Sequence, residues 1–127
     1  VEKISNKWSK KLPEMFKLVE GEFNSYVEES DILISSASTV CLETLTKGIP
    51  VIVIGNSLGL TQLSIPKSIS DNVWKLCYSV SDVVEAIKLY AKKDINTLNT
   101  YKKIGYEIRD NFFEPVTELS ARKFLNL

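Results

Sequence analysis

The sequence predicts an α/β fold in which a parallel sheet carries helices on both faces. Three observations lead there. Two continuous apolar runs, Asp31-Ile-Leu-Ile-Ser-Ser36 and Pro50-Val-Ile-Val-Ile-Gly55, have the composition of parallel strands buried on both sides. Between them, Ala37 to Lys47 places Val40, Cys41, Thr44 and Leu45 on one helical face and stops at Lys47-Gly48-Ile49-Pro50, a cation, a C′ glycine and a proline in the order that ends helices. From Val80 onward the spacing is helical again, so strands and helices alternate as βαβ units require.

Taken in order, residues 1–12 read as a basic helix. Ile4, Trp8 and Leu12 recur every four positions among Lys3, Lys7, Lys10 and Lys11, and Pro13 ends the pattern. Met15 to Val19 predicts a short strand closed by Gly21, and residues 22–29 a short helix carrying Phe23, Tyr26 and Val27. After the second apolar run, residues 56–73 contain Gly59, Pro66 and several serines and predict a long loop or short helices. Lys75 to Ser79 predicts a further strand. Val80, Val83, Val84, Ile87, Tyr90 and Ala91 then mark a helix, with Asp82 and Glu85 as its capping pair. Ile95, Leu98, Tyr101, Ile104, Ile108 and Phe112 mark another that begins near Asp94. Pro115 breaks the chain before a last helix with Val116, Leu119 and Phe124.

Composition narrows the chemistry. The 127 residues suit one domain able to bury a core, and 44% apolar with 25% charged residues is a globular balance. Sixteen basic side chains balance sixteen acidic ones, which argues against a nucleic-acid binder that depends on a cationic surface. Without histidine this stretch supplies no His base, no Ser-His-Asp or Cys-His pair and no His-containing zinc site. No metal or cofactor is expected. Cys41 and Cys77, both in apolar patterns, read as reduced core cysteines of a cytoplasmic protein. No apolar run reaches the roughly 20 residues of a transmembrane segment.

In a parallel sheet the ligand lies beyond the carboxyl ends of the strands, which directs attention to the strand-to-helix loops 35–39, 55–62 and 79–82. Ser35-Ser36-Ala37-Ser38-Thr39 joins a strand to a helix start, where unpaired N–H groups and small hydroxyl side chains suit a phosphate or carboxylate. A helix-capping serine would look the same. Glu43, about one turn into the helix, leans back toward that loop and offers two acceptor oxygens, the pairing a ribose diol takes.

The run from Asp31 through Ser36, Ala37, Ser38, Thr39, Glu43 and Gly48-Ile-Pro50 to Val53 resembles the donor-site signature of GT-B fold glycosyltransferases of the bacterial surface-carbohydrate type. The resemblance implies a Rossmann-like sheet forming part of a GT-B C-terminal domain. It matches Ser36, Ala37, Ser38 and Thr39 with the loop at the nucleotide phosphates and Glu43 with the ribose-binding glutamate. More loosely, it matches Asn56 and Gln62 with donor-sugar contacts. One departure is Ala37 and its serines where the family commonly has glycine, which bears on how closely the backbone approaches a phosphate. The kinked tail from Phe112 past Pro115 is similar to the family's crossing C-terminal segment.

That resemblance implies sugar transfer from a nucleotide-diphosphate sugar to a glycan or lipid-linked acceptor held by a separate N-terminal half, peripheral to the inner face of the membrane. The chain begins at Val1, and the expectation is that it is a piece of such a transferase, holding the donor nucleotide and not the catalytic base. A sheet lacking its first strands leaves an edge on which a second copy of the fragment can pair as a homodimer. Two alternatives stand beside this reading. GT-B fold nucleotide-sugar 2-epimerases use a similar loop but usually carry a Glu-Glu pair where Leu42-Glu43 stands here. A non-catalytic α/β interaction module would respond to no nucleotide.

Overall fold

The computed structural model describes residues 13–59, 61–92 and 94–125. The helix expected over 1–12 lies outside them. In chain order the elements are α1 (Asn24–Val27), β1 (Leu33–Ser36), α2 (Val40–Thr46), β2 (Val51–Ile54), β3 (Trp74–Cys77), α3 (Val80–Tyr90), α4 (Ile95–Phe112) and α5 (Glu118–Leu125). The three strands form one parallel sheet in the order β1-β2-β3, a Rossmann-like α/β arrangement. The ladder pairs Leu33 with Val51 and Ser36 with Ile54, then Val51 with Trp74 and Ile54 with Cys77. All three strands therefore end at one level.

β2 has both ladders filled. Its consecutive Val51, Ile52 and Val53 are all buried, and because successive side chains point to opposite faces, both faces are covered at the centre of the sheet. β1 differs from its expectation as a strand buried on both faces. Ile34 remains 44% exposed and the strand alternates between half-buried and exposed, because β1 is an edge of the sheet among the described residues.

The helices pack where their apolar positions dictate. Cys41 and Leu45 of α2, Ala86 and Tyr90 of α3 and Tyr101 and Ile108 of α4 enter one core with β2. Ile65, Ile69 and Val73, from the irregular 56–73 segment, join it, so that loop is anchored by its isoleucines. Tyr90 meets Tyr101 edge-on, with centroids 6.2 Å apart and rings at 80°. Cys41 and Cys77 are buried and unpaired, as core cysteines, and burial pushes the Cys77 thiol pKa up.

The stop after α2 forms as the sequence implies. Gly48 takes φ +74°, and its N–H donates to the Leu45 carbonyl at 3.0 Å. Lys47 is the capping residue and pairs with Glu28 at 2.7 Å, tying the ends of α1 and α2 together. α2 is shorter than the predicted Ala37–Lys47, and α1 shorter than 22–29, each losing its ends to turns.

Two expectations are corrected. Met15 to Val19 forms no strand: Met15, Phe16, Leu18 and Val19 are all exposed. A strand is defined by a neighbour to bond with, and this segment has none among the described residues. The capping pair of α3 is Ser79 and Asp82, three residues earlier than Asp82 and Glu85. The Ser79 hydroxyl accepts from the Asp82 N–H at 3.1 Å, while Asp82 Oδ2 accepts from the Ser79 N–H at 2.9 Å. Val80 is already helical, so the cap falls on the serine before it. α4 begins beside Asp94 as expected, and Asp94 caps it, accepting from the Thr97 N–H at 2.9 Å. No described helix is long and apolar enough to cross a membrane.

Candidate functional site

The strand register puts Ser36 and Ile54 side by side at the carboxyl end of the sheet, and a cleft of about 490 Å³ opens there. One wall is Ser36, Ala37, Ser38 and Thr39. The other is Asn56 with Thr61, Gln62, Leu63 and Ser64, and Ile54 lies between the walls. Six of the seven residues singled out from the sequence thus line one cleft. Glu43 does not: it sits half-buried on α2, four residues past Thr39, which is roughly 6 Å along a helix.

The serine wall is a backbone donor surface. None of the hydrogen bonds among the described residues uses the N–H groups of Ala37, Ser38, Thr39 or Val40. The strand ladder ends at Ser36, and helical bonding starts with the Cys41 N–H, which donates to Ser38 O at 3.1 Å. Thr39 occupies the N-cap position with helical φ/ψ and makes no side-chain cap, so its hydroxyl is not consumed by the helix either. A capping serine, the bland reading of this loop, is not what forms. Orphan donors of this kind are satisfied by water or by ligand.

The facing wall is braced internally. The Asn56 N–H donates to Thr61 Oγ1 at 2.6 Å, and Asn56 Oδ1 accepts from the Leu58 N–H at 2.9 Å. That turn occupies the side-chain carbonyl of Asn56, so what it offers a ligand is its amide NH2. Gln62 is exposed, with both ends of its amide free of hydrogen bonds among the described residues.

Among the described residues no charged side chain lines the cleft, so the polarity they give it comes from hydroxyls, amides and backbone N–H groups. Among the described residues no group of three or more His, Cys, Asp or Glu is placed to hold a metal ion. What such a surface can do is grip several acceptor oxygens at once without titrating.

Leu63, Ser64 and Ile54 escaped sequence reasoning, and Thr61 was reached only as part of the strand-to-helix loop 55–62. Ile54 was legible only as a strand residue, and the 61–64 segment has no periodicity to mark it. The hint lay in its position: it follows β2, and loops after parallel strands gather at one end of the sheet.

Set against family models, curated proteins and solved structures, the chain matches none.

Proposed function

We propose that the cleft binds the nucleotide-diphosphate part of a sugar donor, and that the chain is the donor-binding part of a glycosyltransferase acting on a cell-surface glycan acceptor. The observation that carries this reading is the row of unused N–H groups from Ala37 to Val40, flanked by the hydroxyls of Ser36, Ser38 and Thr39, at the carboxyl end of two parallel strands. In this reading those donors hold the diphosphate and stabilise the negative charge that develops on it as the sugar leaves. Glu43 reaches back from α2 to accept from the ribose hydroxyls. Asn56 and Gln62, on the opposite wall, donate to the sugar. The acceptor and the base that activates it come from a separate half.

The test is a titration of the isotopically labelled chain with UDP, CDP, GDP and their sugar conjugates. The expected result is a perturbation confined to residues 36–43 and 56–64 with one nucleotide preferred. Glu43→Ala should weaken binding of the nucleotide and leave the response to inorganic diphosphate intact. Silence toward every nucleotide would overturn the donor reading and favour an α/β interaction module.

A further inference from the structure

The two walls of the cleft are joined by one side chain. Ser64 Oγ donates to the carbonyl of Ser38 at 2.5 Å, a bond between residues 26 apart in sequence. We propose that Ser64 is the positioning residue of the cleft, setting the orientation of the Ser38–Thr39 peptide and the distance between the serine loop and Gln62. This rests on the donor reading above and extends it to a residue that the sequence did not single out.

The argument begins with what holds Ser64 itself. Its neighbours are apolar anchors: Ile65 is buried in the core, and Leu63 packs against that core. A hydroxyl flanked by two such residues has its backbone fixed before it bonds to anything. The Ser38 carbonyl, in turn, accepts from the Cys41 N–H at 3.1 Å as well as from Ser64, so both of its lone pairs are used. In a planar trans peptide the C=O and the following N–H point in opposite directions. Holding the Ser38 carbonyl from two sides therefore also fixes where the Thr39 N–H points, and that N–H is one of the unused donors of the serine wall. Ser38 and Ser64 both line the cleft, so the bond spans it. Without it, the serine loop keeps its strand and its helix but loses its only side-chain link to the facing wall among the described residues.

The experiment compares the full chain with Ser64→Ala and Ser64→Thr by assigned backbone amide resonances, thermal unfolding, and titration with UDP, CDP and GDP. Ser64→Ala is expected to move the Ser38, Thr39 and Cys41 amide resonances before any ligand is added. It is also expected to weaken the preferred nucleotide about tenfold, the effect of one lost positioning hydrogen bond. Ser64→Thr, which keeps the hydroxyl, should restore both; a merely structural serine would show no such rescue of affinity. Unmoved loop amides in Ser64→Ala, affinity within twofold of wild type, or failure of Ser64→Thr to restore it would each overturn the proposal. If wild type binds none of the three nucleotides, the donor reading falls, while the amide comparison still decides whether Ser64 sets the loop. Should Ser64→Ala fail to fold, Ser64→Cys, with a weaker donor, replaces it under the same criteria.

Discussion

Gly105 of α4 lies directly against the last turn of α2: a Cβ placed on it would come within 2.8 Å of the Leu45 carbonyl oxygen. The same atom would stand 2.9 Å from Gly48 N and Thr46 O, all backbone, so no side chain can swing aside. On the other side of the contact, a Cβ on Gly48 would meet the Lys102 backbone at 3.0 Å. Two glycines thus let α4 seat on the helix that follows the serine loop.

Gly105→Ala tests that seating. In a free helix the change would stabilise by up to about 1 kcal/mol. Here overpacking against backbone should dominate, with a net loss of about 1–3 kcal/mol in chemical denaturation. A gain would show that α4 does not approach α2 this closely.

Tyr90 is fully buried, and its hydroxyl has no hydrogen-bond partner among the described residues. Burial, with Tyr101 nearby, holds its pKa well above the ordinary tyrosine value. Removing an unsatisfied hydroxyl removes a desolvation penalty, so Tyr90→Phe should leave stability unchanged or raise it by about 1 kcal/mol. Tyr90→Ala, which empties the core, should cost about 3–5 kcal/mol. A marked loss in Tyr90→Phe would reveal an acceptor for that hydroxyl.

Acid should unfold the chain partly through its helix caps. N–H groups of Tyr78 and Ser79 and the Ser79 side chain hold the Asp82 carboxyl below the usual aspartate range, and Thr97 does the same for Asp94. Carboxyls whose folded pKa is lowered contribute stability that is present above the unfolded value of 3.8 and lost as pH falls through the folded one. Stability should therefore decline below about pH 4, and the double variant Asp82→Asn/Asp94→Asn should decline less steeply. Parallel slopes in urea denaturation from pH 5 to pH 2 would remove the caps as the cause.

Because no ionisable side chain among the described residues lines the cleft, nucleotide-diphosphate affinity should be nearly flat from pH 7 to pH 9, where the phosphate is already mostly ionised, its second pKa being about 6. Calorimetric titration checks this. A tenfold change across that range would place a titrating side chain in the site.

Some of this was readable from residues alone. Val51 to Ile54 and the Lys47-Gly48-Ile49-Pro50 stop carry their structure locally, in burial and in the positive φ of one glycine, and both form where the pattern puts them. Met15 to Val19 has an equally strand-like composition and forms none, because composition records a preference and pairing needs a neighbour. The serine wall was legible only as a candidate, because small hydroxyl residues between a strand and a helix serve equally as caps. It took the free N–H groups and the uncapped Thr39 to separate the two. Ser64 was not legible: its significance lies in a bond to a carbonyl far away in sequence, and a carbonyl leaves no trace in residue identity.

The central strand has a kinetic consequence. Ile52 and Val53 lie between two paired strands and are shut away from water on both faces, so their amide protons should be among the last to exchange with deuterium, releasing only when the whole chain opens. The cleft stands on the tip of that strand at Ile54, while its walls are loops whose protons should exchange early. The molecule thus joins a slow floor to walls whose open amides should exchange many times within one lifetime of the fold.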